Sequence, residues 1–112
     1  MNNNELKLET LKTASNYINN IIVAIDNIVE YFQKGESEKG LSTFNSLMEG
    51  LEWLTKALSL TNDIQKDPVN ISEINVVLTP IEGAINAADY TLVCDILSYE
   101  LKPLMESWQI KL

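Results

Sequence analysis

Between Leu11 and Phe32 the chain places Leu11, Ala14, Ile18, Ile21, Ile25, Ile28 and Phe32 at gaps that alternate three and four without a break. Only an α-helix returns residues at that spacing to one side, so the stretch is an amphipathic helix. Leu8, Ile22 and Val29 widen the seam into a stripe. A helix cannot bury such a stripe by itself, and the rest of the chain must supply what covers it.

The first helix is expected from about Asn4 to Lys34, with Asn4 as N-cap and Gly35 as its stop. Thirty residues at the helical rise span roughly 45 Å. The second is expected from about Ser37 to Ile64, with a seam of Phe44, Leu47, Leu51, Leu54 and Leu58 flanked by Leu41 and Met48. Gly40 and Gly50 weaken it, each by about 1 kcal/mol relative to alanine. Asp63 to Val69 is polar, contains Pro68, and reads as a connection rather than a domain linker. A third helix begins near Asn70, where Asn70 and Glu73 have capping-box spacing. Its face is Ile74, Val77, Leu78, Ile81, Ala84, Ile85 and Ala88. That face stays in phase across Pro80, which predicts one helix kinked there. Asp89 is placed to cap a fourth helix running to about Lys111, with Val93, Leu97, Leu101, Leu104 and Trp108 as its core stripe. Pro103 frees the carbonyl of Tyr99 and predicts a bend. Strand alternation and internal repeats are both missing from the pattern. Four helices with short connections predict an all-α fold, an antiparallel four-helix bundle running up-down-up-down, with residues 1–112 as one domain.

Composition narrows the chemistry. The chain has 112 residues, 46% of them hydrophobic, enough to build a core. It has 16 acids against 8 bases, all of them lysine, and a net charge of -8. Nucleic acid and anionic membrane surfaces are therefore not expected as partners. Histidine and arginine are both absent from the sequence. Without histidine there is no Ser-His or Cys-His catalysis and no Glu-x-x-His di-iron site. Without arginine there is no bidentate phosphate or carboxylate clamp. Asp63 to Ile74 lacks the oxygen pattern of a calcium loop, and no glycine-rich phosphate loop occurs. No catalytic residue, metal ligand or cofactor is expected, and the chain is not expected to be an enzyme.

Cys94, the single cysteine, falls in an apolar helical pattern and is expected to be a buried structural thiol. A lone cysteine suits a reducing compartment. The start, Met1 to Glu5, has no signal-peptide character, and no apolar run reaches membrane-spanning length. Both readings point to the cytoplasm. Glu100 sits at the edge of the fourth helix's stripe. It either titrates high through burial or, as the plainer alternative, reaches solvent.

Two rows remain outside the seams. Trp53, Ala57, Leu60 and Ile64 lie about 180° around the second helix from Phe44, Leu51 and Leu58. Leu92, Ile96, Tyr99, Pro103 and Ile110 form a second apolar row on the fourth. A helix that is apolar on most sides is either central in its bundle or covered by a partner. Trp53, Ala57, Leu60, Ile64, Leu92, Ile96 and Tyr99 are thus the candidate interaction surface.

Asp95, the run Tyr99-Glu100-Leu101-Lys102-Pro103, and Trp108 together resemble the C-terminal signature of small uncharacterised helical proteins from Firmicutes, a likeness that implies no activity. The whole layout, with a tryptophan near the end of the last helix, also resembles the flagellin-export chaperones. That resemblance implies a cytoplasmic bundle holding another protein on apolar helix faces. The expected function is therefore protein binding, as a chaperone or adaptor. The alternative is a self-associating structural or regulatory homo-oligomer, in the simplest case a homodimer.

Overall fold

The computed structural model describes residues 3–112; Met1 and Asn2, which open the polar segment read above, lie outside that range. The elements in order are α1 (Asn3–Gln33), α2 (Ser37–Leu60), a 3-10 turn (Asn62–Ile64), α3 (Glu73–Asn86), α4 (Tyr90–Ile96), a π-helical turn (Leu97–Leu101) and α5 (Lys102–Lys111). Among the described residues there is no strand. The last three pieces run on as one rod, because the backbone keeps right-handed helical angles through both junctions. The result is an all-α bundle of four antiparallel rods, measuring 48 × 22 × 21 Å. Its length is that of α1, whose 31 residues span roughly 46 Å.

The α1 seam is the centre of the core. Ala14, Ile18, Ile21, Ile25, Ile28 and Phe32 are all buried, with Leu11 packed partly against them. Phe44, Leu47, Leu51, Leu54 and Leu58 of α2 are buried opposite. The fourth rod descends along the other side of α1. Tyr90 stacks on Phe32 at 4.6 Å, Lys102 Nζ donates to Asp26 at 3.0 Å, and Gln109 donates to Asn19 nearer the bottom. Each fully buried Ile or Leu contributes about 1.5–3 kcal/mol, which is why the uninterrupted seam dominates the fold.

Helix ends follow local chemistry. After α1 the chain turns at Gly35, φ 77°, with Gly35 N–H donating to Phe32 and Glu36 N–H to Tyr31. This is a Schellman motif with glycine at its left-handed position. The same pair of bonds closes α3, from Ala88 N–H to Ile85 and Asp89 N–H to Ala84. There the left-handed residue is Ala88, φ 53°. The α3 face therefore stops short of Ala88, which is exposed. Asp89 Oδ1 caps α4 by accepting from Leu92 N–H at 3.1 Å. Asn70 works through an Asx turn to Ser72 N–H at 3.2 Å, and α3 starts at Glu73. Asn4 is inside α1 rather than its cap. Pro80 lies within α3, as its face requires. Both Pro80 and Val76 are exposed, so the carbonyl that the proline leaves free is open to water.

Gly40 and Gly50 are places of close approach. A Cβ on Gly40 would lie 2.6 Å from the Phe32 ring, and one on Gly50 would run into the Tyr17 hydroxyl. The two glycines let the aromatic side chains of α1 lie directly on the α2 backbone.

The connection from α2 to α3 is built on a buried side chain. Gln65 is 7% exposed and Thr61 is fully buried. Gln65 Nε2 donates to the Leu58 carbonyl at 2.8 Å and to Thr61 Oγ1 at 3.2 Å, and its Oε1 accepts from Val69 N–H at 3.0 Å. Thr61 Oγ1 donates to the Ala57 carbonyl at 2.8 Å. Orphan groups at the end of α2 and the incoming strand of coil are thereby satisfied by one amide.

In the fourth rod, Pro103 is accommodated by widening the turn before it. Lys102 N–H reaches back five residues to Leu97. Inserting a wide turn advances each residue by a smaller angle than in an α-helix. The register beyond it shifts, so Met105 is fully buried and Leu104 only partly so. Trp108 is 1% exposed, and its indole N–H finds no acceptor among the described residues.

Candidate interaction surface

No helix among the described residues is long and apolar enough to cross a membrane. Nor do three His, Cys, Asp or Glu side chains among them converge as a metal would require. Glu100 is exposed, on the outer side of the π turn. Cys94 is 9% exposed, its Sγ 3.9 Å from the Val29 carbonyl. Burial, and secondarily the charge of Asp95, pushes its thiol pKa up. The groups that define a surface here are apolar side chains left in water; two faces gather several of them, and Leu8, Val23 and Ile110 are exposed as well but line neither face's groove.

The first face runs along the outer edge of α1 and α2. Trp53 is 42% exposed and stands edge-on to Tyr17 at 5.3 Å, over the gap left by Gly50. Nearer the chain's start, Leu6 and Thr10 of α1, Leu60 of α2 and Thr61 just after it line one groove. Leu60 is 65% exposed. Lys7, on the same groove, donates to Asp63 at 2.8 Å, and this bond holds the Asp63 carboxyl below its ordinary pKa. Ala57 does not belong to the face. It lies two turns beyond Gly50 on the side of α2 that meets α1, and is 4% exposed. Ile64 is half-buried, because α2 ends at Leu60 and Ile64 sits in the 3-10 turn rather than on the helical row.

The second face lies between α3 and the fourth rod. Tyr99 is 78% and Val76 74% exposed, with Leu92 at 43%. An open groove here is lined by Glu73, Val76 and Val77 of α3 and by Glu100, Pro103 and Leu104, and neither Tyr99 nor Leu92 is in that lining. Ile96, which the sequence places on the same row as Tyr99, is buried. The π turn is the reason. It begins just after Ile96 and swings Tyr99 away from Ile96's side, so Ile96 stays in the core and Tyr99 turns out.

A family description, "Domain of unknown function (DUF8042)", matches residues 9–111. The chain belongs to the DUF8042 family. The DUF8042 region takes in the whole second face and all of the first except Asn3, Leu6 and Lys7. None of the curated proteins and none of the solved structures matches the chain.

Three features of these faces were not read from the sequence. Tyr17 as the partner of Trp53 depends on which helix lies alongside. Val76 was assigned to no row. The third feature is legible in the sequence: no lysine or arginine occurs between Lys66 and Lys102, while Asp67, Glu73, Glu82, Asp89, Asp95 and Glu100 do.

Proposed function

We propose that this chain is a small cytoplasmic protein-binding bundle, a chaperone or adaptor without enzymatic activity, that holds another protein on an exposed apolar helix face. The observation that carries this reading is the pairing of a filled core with bulky apolar side chains left in water. Trp53, Leu60, Val76 and Tyr99 are 42%, 65%, 74% and 78% exposed. Bulky apolar side chains exposed on these two faces are available to a partner, and Trp and Tyr are enriched among residues that dominate binding energy. The resemblance in layout to export chaperones agrees with it, although Trp108 is a core residue here and takes no part in any surface. A lone cysteine suits the reducing compartment assigned.

Light scattering on the eluting protein, followed by capture from native lysate with wild type, Trp53→Ala and Tyr99→Ala, tests the proposal. The expected result is a monomer that retains a partner, with retention lost in at least one variant and thermal midpoints close to wild type. A tight homodimer that covers these faces would replace this reading with self-association.

A further inference from the structure

Resting on the protein-binding reading, we infer that the groove between α3 and the fourth rod is the docking site, and that its occupant is a cationic amphipathic helix of another protein. Six of the chain's net eight negative charges lie within residues 67–101, which carry six acids and no base. All six acids are exposed. Lys102, the first base beyond them, is turned away to α1, where its Nζ holds both Asp26 oxygens at 3.0 and 3.2 Å. The groove itself is apolar along Val76, Val77, Pro103 and Leu104, with Glu73 from α3 and Glu100 from the π turn among its lining and no base.

Such a surface selects its ligand by charge. A second copy of this chain would bring a like-charged groove against it, which is repulsive at short range. An amphipathic helix with an apolar row and flanking Lys or Arg satisfies both parts. Its apolar row, spaced i, i+3, i+4 and i+7, lies in the groove, and its cations meet Glu73 and Glu100. The α1/α2 face lacks this selectivity, since its groove carries Lys7 already tied to Asp63.

The test uses the full chain, isotopically labelled, and two synthetic helical peptides of about 18 residues, five turns long. The peptides share one leucine row and differ only in flanking lysines or glutamates. The lysine peptide is expected to bind, to shift amides around Val76, Tyr99 and Glu100, and to weaken as salt is raised. The glutamate peptide is expected not to bind. Glu73→Lys with Glu100→Lys, both at exposed positions, should weaken the lysine peptide about tenfold or more by replacing attraction with repulsion. Val76→Ser, at an exposed groove position and with the charges left in place, should weaken it as well. Equal binding of the two peptides, shifts spread over the whole acidic surface, or no binding would each overturn the inference. Shifts centred on Trp53 and Leu60 would overturn it too, while leaving the protein-binding reading standing.

Discussion

Replacing Gln65 with leucine should destabilise this protein far more than a change in a helix connection usually does. Leucine fills a similar volume but offers neither the donor nor the acceptor. The Leu58 carbonyl then loses its 2.8 Å partner and the Val69 N–H its 3.0 Å partner. Leu58 is 0% and Val69 4% exposed, so water does not simply replace what is lost. The Leu58 carbonyl keeps only its 3.4 Å bond from Thr61 Oγ1 while the Val69 N–H is orphaned, and a buried polar group left unpaired costs about 1–3 kcal/mol. For a domain of this size the thermal midpoint should fall on the order of 10 °C. Urea unfolding measures the loss, and hydrogen exchange at the Val69 amide locates it. Gln65→Glu sharpens the argument. It keeps an oxygen for Val69 N–H but sets a carboxylate against the Leu58 carbonyl at neutral pH. Burial holds the folded-state pKa of that carboxyl high, so protonation restores a donor and part of the loss should return as pH falls. If Gln65→Leu stays within about 0.5 kcal/mol of wild type, the ordinary range for a surface change, the amide is not the clasp described here.

Ile25→Ala and Leu51→Ala, on facing seams, should each cost about 2–5 kcal/mol by urea unfolding, and values below about 1 at both would mean the seams do not meet. Ala88→Gly should stabilise by about 1 kcal/mol, because a left-handed residue with a Cβ is strained; a loss in the same assay would show that the turn does not hold φ 53° in solution. Gly40→Ala should destabilise in spite of its better helix propensity, since the added methyl displaces Phe32 from its stack on Tyr90. An unchanged near-ultraviolet circular dichroism spectrum together with a gain in stability would refute that account. Cys94 should alkylate more slowly than a free thiol at pH 7–8. Its folded pKa is raised, so the linked stability is fully present below the ordinary thiol pKa and is lost as pH rises through the folded value. Rapid labelling of the native protein would place the thiol in solvent instead.

What the sequence determined by itself is whatever repeats along one helix or is decided within a few residues of itself. The three-four spacing from Leu11 to Phe32 specifies a buried face without reference to any partner. Gly35 and Asp89 mark a helix stop and a helix start through bonds to their near neighbours, and the number of helices follows. Tertiary structure decided matters that depend on what lies across a gap. Gly40 and Gly50 look like weaknesses until the Phe32 and Tyr17 rings of another helix are laid on them. Gln65 reads as part of a polar loop until Leu58 and Val69 close around it. Ala57 is grouped with an outward row by its spacing from Trp53 and is nonetheless buried, because, like Gly50 two turns earlier, it lies on the side of α2 that meets α1. On the fourth rod the sequence places Ile96 and Tyr99 on one row, and the π turn before Pro103 sends one to the core and the other to water. A wheel of fixed pitch cannot show that, since Pro103 signals a disturbance of the helix but not that it is met by a wider turn.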